Sequence, residues 1–260
     1  MSFDIELVFP QVFSEMVTQR LGPYIRENLH PHDKIIAELE IMEEPLPHEF
    51  VIPQAVKDKD SLKFIRYDMD GYYNSAEKHL KLKVLNNIYS FDTALRVLFS
   101  YLLVENGGFL IHSSSIAIDN KGILFIGVSG SGKTTIAHLD KKATVFSDEI
   151  SSIARKNGRF HLYGNTFFSD LGELGSDTHA ELSQVFFLNK APYNRIGPID
   201  KSLAISGIIR NIMTFQKDPA TSKKVLDNAA SLLKQTPVHN IYFLPEPGIF
   251  QTIKEHLCIK

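Results

Sequence analysis

Apolar positions along the chain fall into two textures. Up to about residue 105, short runs alternate polar and apolar residues: 3–9, 34–42, 61–67 and 78–84 each read as a half-buried strand. Asp70-Gly71 predicts a turn between the last two. Pro45, Pro47 and Pro53 interrupt regular structure, so residues 43–60 read as loop. Residues 91–104 place Leu95, Leu98, Phe99 and Leu102 on one helical face, with Asp92 in the first turn. From Gly107 strands dominate: 109–112, 115–118, and the fully apolar run 123–126, which reads as a strand buried on both faces. A glycine-rich segment, a short helix and a strand over 144–146 follow. Strands 150–155 and 159–163 flank Lys156-Asn157-Gly158, a hairpin signal. Residues 182–188 and 239–244 add strands, while 201–216, 223–234 and 249–257 read as helices. The pattern implies an α/β fold over residues 91–260, a mixed, twisted sheet flanked by helices with the glycine segment at its strand ends. A smaller α+β region precedes it over residues 1–90.

Composition narrows the function classes. With 43% hydrophobic and 22% charged residues among 260, an ordinary globular core is expected. A net charge of −2 and a pI near 6.6 speak against nucleic acid as partner. The single cysteine, Cys258, forms no internal disulfide and fits a reducing, cytoplasmic setting. The N-terminus has no basic region ahead of an apolar stretch, and the most apolar window, 97–104, is too short to span a bilayer.

Gly127-Val128-Ser129-Gly130-Ser131-Gly132-Lys133-Thr134 satisfies G-x-x-x-x-G-K-[ST], the Walker A phosphate loop, and Thr135 follows it. The residue types answer to the chemistry. Glycines let the backbone turn its N–H groups onto phosphate oxygens, and the next helix adds its N-terminal amides. Lys133 supplies a charge for the β and γ phosphates of ATP, and the Thr134 hydroxyl is placed for Mg²⁺. An apolar strand entering the loop and a helix-compatible stretch leaving it fit the motif. A metal-holding carboxylate is then expected at a neighbouring strand end, where Asp148-Glu149 follows the 144–146 strand. His112 ends the apolar 109–112 run, a place where a histidine is more often structural than catalytic.

Together, His112 ahead of the loop, the loop between strands and the acidic pair after it resemble the catalytic domain of HPr kinase/phosphorylase. That domain is itself similar to the nucleotide-binding core of the phosphoenolpyruvate carboxykinases. The resemblance covers residues 91–257 and implies transfer of the γ-phosphoryl group to a serine-type hydroxyl on a peptide, protein or small molecule. By the resemblance His112 lies near the transferred phosphate, and Lys133 and Thr134 take phosphate and metal. Asp148 and Glu149 match an Asp-Asp pair whose second member is the general base, and Glu173 falls near a downstream metal ligand. Relatives form rings, which makes a homo-oligomer an expectation too. Three features depart from the family: the second acid is Glu149 rather than Asp, no HPr-docking segment follows Glu173, and the first hundred residues do not read like that enzyme's N-terminal domain. The carboxykinase activity itself is not expected, because the chain is too short for that enzyme's additional domain.

Weaker candidates are His30, His32 and His48 as a metal cluster, Ser113–Ser115 as nucleophiles, and Arg195 or Arg210 as phosphate contacts. Surface histidines are the more ordinary reading, no glycine-elbow context surrounds the serines, and an exposed arginine is the default for Arg210 on its helix. Two functional alternatives stand beside the kinase: a nucleotide-binding regulatory or assembly protein without transfer, and a plain P-loop ATPase. The ATPase is disfavoured by the short stretch between Thr134 and Thr144.

Overall fold

The computed structural model describes residues 4–25, 34–47, 51–167 and 176–258. These divide into two compact units, 1–102 with 214–222, and 103–213 with 223–260.

In the first unit the elements are β1 (Asp4–Val8), α1 (Ser14–Leu21), β2 (Lys34–Ile41), β3 (Gln54–Asp58), β4 (Ser61–Arg66), β5 (Met69–Asn74), β6 (His79–Val84) and α2 (Ile88–Glu105), whose last turn is counted with the second unit. Six strands form one mixed sheet in the order β1-β2-β6-β5-β4-β3, with β1/β2 and β2/β6 parallel and the rest antiparallel. Period-2 alternation buries Ile35, Ala37 and Leu39 on one face together with Leu62, Phe64, Tyr73, Leu80 and Leu82. Buried Arg20 of α1 is paired with Asp92 of α2 through Nε at 2.8 Å, so the two helices are tied by a charge-assisted bond.

Two readings of this region are corrected. Residues 43–60 are not all loop, because Gln54–Asp58 pairs antiparallel with β4. Asp70-Gly71 is not the turn either; both residues lie within β5. Gly71 sits opposite Phe64, where a Cβ would come within 2.1 Å of the ring, so the glycine makes room for an aromatic side chain. The turn is Tyr67-Asp68. Its Asp68 carboxylate takes Arg66 Nε at 2.6 Å, Arg66 Nη2 at 2.8 Å and Ser90 Oγ at 2.6 Å.

Burial by itself would raise the Asp68 carboxyl, but the Arg66 and Ser90 bonds outweigh it and hold it below the ordinary value. A depressed native carboxyl contributes stability that is present above its unfolded pKa and is lost as pH falls through the native one. Asp68→Asn should therefore cost about 3 kcal/mol at neutral pH, the low end for breaking a buried pair because Arg66 keeps some solvent contact. Thermal melts should show that deficit shrinking at about pH 3. Equal deficits at both pH values would place the cost elsewhere.

The second unit contains β7 (Phe109–His112), β8 (Ser114–Ile118), β9 (Lys121–Ile126), α3 (Lys133–Leu139), β10 (Thr144–Ser147), β11 (Ile150–Lys156), β12 (Arg159–Tyr163), β13 (His179–Lys190), β14 (Arg195–Pro198), α4 (Lys201–Asn211), β15 (Ile212–Met213), α5 (Pro219–Gln235), β16 (Val238–Phe243) and α6 (Ile249–His256); the first turn of α5 is counted with the first unit. Its sheet is mixed, so a mixed α/β architecture is what the chain adopts. Strand β9 explains the layering. Leu124 and Ile126 enter a core with Ile208 of α4 and Ala229 and Leu232 of α5. Ile123 and Phe125 enter a second core with Ile136 of α3 and Phe250 and Ile253 of α6. A strand covered on both faces reads as a continuous apolar run, which is what residues 123–126 are.

The helix expected over 201–216 stops at Asn211. Ile212 leaves helical geometry at ψ 131°, and Ile212-Met213 pair with Ile111 and Leu110 as an edge strand. At the other end Asp200 caps α4 by accepting from the amides of Ser202 and Leu203. Strand β14 has no counterpart in the apolar pattern, and β13 runs beyond 182–188 at both ends. The extra length matters, since β13 pairs parallel with β9 and β16, and also antiparallel with β12 at its start.

Candidate functional site

Strand directions gather the candidate residues at one rim. β9, β13 and β16 are parallel; β10 is antiparallel to β8, which is antiparallel to β9, so β10 runs with them. Their carboxyl ends lead into Gly127, Ala191, Leu244 and Asp148 on the same edge of the sheet. β8 starts there, directly after His112 and Ser113. Open α/β sheets bind ligands outside the carboxyl ends of their strands.

The loop after β9 turns through two left-handed glycines, Gly130 at φ 74° and Gly132 at φ 98°. A Cβ on Gly132 would also meet the Phe243 ring at 2.8 Å, so conformation and space both require glycine there. The Ser131 amide closes the loop onto the Val128 carbonyl at 3.1 Å, and the Ile136 amide bonds Gly132 O at 2.9 Å as α3 begins. Val128, Ser129 and Gly130 are exposed, as is Thr135 in the first turn of α3. Ser131 is buried, and its hydroxyl has no hydrogen-bond partner among the described residues.

Lys133 is only 8% exposed, and its Nζ donates to the carbonyls of Gly127 and Val128 at 3.0 and 3.2 Å. Burial lowers its pKa. Two neutral carbonyls solvate an ammonium without balancing its charge.

Thr134 Oγ1 donates to the backbone carbonyl of Asp148 at 3.4 Å, which sets the hydroxyl beside the acidic pair. Asp148 is buried, and its Oδ2 lies 3.6 Å from His138 Nε2 of α3. The bend that carries the pair is fixed by Ser147, whose Oγ accepts from the amides of Glu149 and Ile150 at 3.3 and 3.0 Å. The same hydroxyl donates to Phe167 O at 3.1 Å, and Asn165 Nδ2 donates to Ile150 O at 2.8 Å. The segment entered at Gly164 thus runs past the acids before residues 168–175.

His112 faces Ile150 in the β7–β11 register, and the Ser113 amide donates to Glu149 O at 3.0 Å. The fold accordingly brings His112, Lys133, Thr134, Asp148 and Glu149 to one rim. Glu173 lies outside the described residues, as do His30, His32 and His48. Ser113, Ser114 and Ser115 are fully buried, and Ser113 and Ser115 both bond Ser151 at 2.8 Å, so none is exposed as a nucleophile. Arg195 lies over the Tyr242 ring at 5.1 Å, and Arg210 is exposed in the last turn of α4.

His138 is the residue that sequence reading missed. It sits five positions after Lys133 on a helix of only 7 residues, where nothing marks it as facing a carboxylate contributed by another strand.

The model of the SynChlorMet cassette protein ScmC family matches residues 81–258. The chain belongs to the ScmC family. Its matched segment contains the whole rim, from His112 to Tyr242. No curated protein sequence matches the chain. Among solved structures, the Hpr(Ser) kinase/phosphatase from Coxiella burnetii is similar at 15% identity and a TM-score of 0.32, covering 57% of this chain and 96% of that one. A likeness at that level assigns neither a residue role nor an activity to this ScmC family member. Among the described residues, no helix is long and apolar enough to cross a membrane.

Proposed function

We propose that the second unit binds a nucleoside triphosphate such as ATP with Mg²⁺ and transfers its γ-phosphoryl group to a hydroxyl acceptor. One observation carries the reading. Lys133 is a nearly buried ammonium, engaged among the described residues only by two carbonyls of a loop with left-handed glycines. Such a cation is costly unless an anion joins it, and a triphosphate is the anion this loop is shaped for.

The donor set supports a divalent ion: the Thr134 hydroxyl and residue 148 are already side by side, and the Asp148 carboxylate is a hard oxygen ligand. Thr134 and Asp148 would hold Mg²⁺, with Glu173 as a third ligand. When bound, the ion offsets charge on the β and γ phosphates. The remaining work falls to the chain. The loop amides and Lys133 hold the phosphates in line. Glu149 accepts the proton of the acceptor hydroxyl as its oxygen bonds to the γ phosphorus, and the bond to the bridging oxygen breaks, leaving the diphosphate. His112 stands beside Glu149, near the transferred group. Acceptor choice belongs to the segment between Gly164 and Ser176, whose first residues, 164–167, pass the acids.

ATP should raise the melting temperature modestly with EDTA and clearly more with Mg²⁺, because a ligand that binds only the native state stabilises it by mass action. Equal shifts in the two conditions would remove the metal from the proposal. ADP formation on adding a peptide or metabolite acceptor tests transfer directly. A magnesium-dependent shift with no turnover for any acceptor would instead favour a nucleotide-binding regulatory protein.

A further inference from the structure

We propose that Tyr193, Arg195 and Tyr242 form a stacking platform for the nucleobase, one that holds the base by its face without reading its edge. This rests on the phosphate-loop reading above. The acids fix the polarity of the bound nucleotide. Asp148 and Thr134 adjoin on the β10 side of the loop, so the γ-phosphate and metal belong there. The nucleoside must then leave over the other flank, where β13 and β16 end.

That flank carries aromatic surface. Tyr193 lies in the connection leaving β13 and is 50% exposed. Its ring is 6.2 Å from that of Tyr242, the penultimate residue of β16, and the Arg195 guanidinium lies 5.1 Å over Tyr242. The reach is right. Leu188 Cβ lies 3.3 Å from where a Cβ on Gly127 would be, and the next residue, Asn189, pairs with Tyr242. Strand spacing then puts Tyr242 about 10 Å from the loop, on the order of the distance from a nucleotide's phosphates to its base.

The connection is held in place as well. The Ala191 amide donates to Phe243 O at 3.0 Å, and Asn194 Oδ1 accepts from the Leu244 amide at 2.9 Å. A ring displayed on a pinned segment loses little freedom on binding. The nearby amides are engaged within the protein: Asn189 Nδ2 with Phe187 O and Asn240 Oδ1, and Asn240 Nδ2 with Pro198 O. The platform itself offers the base ring and guanidinium surface, and stacking tolerates any base because each has a π-face.

Calorimetric titration of ATP, GTP and inorganic tripolyphosphate, each with Mg²⁺, tests the platform. The native protein should bind ATP and GTP within about threefold of each other, since stacking discriminates bases weakly. Tyr193→Ala should weaken both nucleotides roughly tenfold while leaving tripolyphosphate unchanged, and Tyr193→Phe should restore them. Unchanged ATP affinity in Tyr193→Ala overturns the platform, and so does an equal loss for tripolyphosphate or a more than tenfold preference between the two nucleotides. If the native protein binds neither tripolyphosphate nor nucleotide, the phosphate-loop reading falls and takes the platform with it.

Discussion

Replacing Lys133 with methionine should lower nucleotide affinity on the order of a hundredfold, the weight of a charge-assisted contact in a water-poor site, while leaving the fold at least as stable. Both halves follow from the same geometry. The ammonium is 8% exposed and, among the described residues, met only by the carbonyls of Gly127 and Val128, so without ligand it is a partly desolvated charge with no carboxylate on it there. Methionine keeps the volume of the stem and removes that charge. The sign of the pH dependence agrees. Burial lowers the native pKa of Lys133, so the unfolded chain binds the proton more readily, and native stability rises with pH between the two values. A bound triphosphate favours the charged form and draws the pKa back up. Affinity should then hold at neutral pH and fall as pH climbs through the native pKa of the free protein. Lys133→Met should lack that alkaline limb in calorimetric titrations. If the variant binds nucleotide as well as the native protein, the loop is not the phosphate site.

Much of the rim was legible because its signals are local. An all-apolar tetrapeptide at 123–126 needs a strand covered on both faces, and the two helical layers around β9 supply the cover. Asn157-Gly158 signalled its hairpin because both residues take positive φ, at 52° and 78°. What failed depended on partners distant in sequence. Gly71 is a turn residue by composition, and only the Phe64 ring on the adjacent strand makes it a strand glycine. Ile212-Met213 continue a helical pattern, yet the free edge of β7 captures them as strand. The position of His138 beside Asp148, and of Tyr193 and Tyr242 along one flank, follows from strand order, and strand order leaves no periodic trace in a single sequence. The acids themselves are legible from their place at the end of the short 144–146 strand, whereas the serine turn that orients them is not.

Glu149→Gln should keep nucleotide and magnesium binding and lose phosphoryl transfer, by roughly a hundredfold to ten-thousandfold if Glu149 is the general base. Gln is nearly isosteric and still accepts hydrogen bonds through its carbonyl, but it does not take up the acceptor's proton at neutral pH. The backbone around it should stay fixed, because the Glu149 amide bonds Ser147 Oγ and its carbonyl receives the Ser113 amide, neither of which involves the side chain. Asp148→Asn should behave differently. Residue 148 is buried, with its carboxylate 3.6 Å from His138 and its carbonyl on the Thr134 hydroxyl, so its loss should weaken the magnesium-dependent part of binding first. Single-turnover rates at saturating nucleotide, set beside thermal shifts with and without magnesium, separate the two roles. Full transfer in Glu149→Gln with loss in Asp148→Asn would exchange the assignments. Full transfer in both would mean that neither acid takes the proton, and the mechanism proposed for this rim would be wrong.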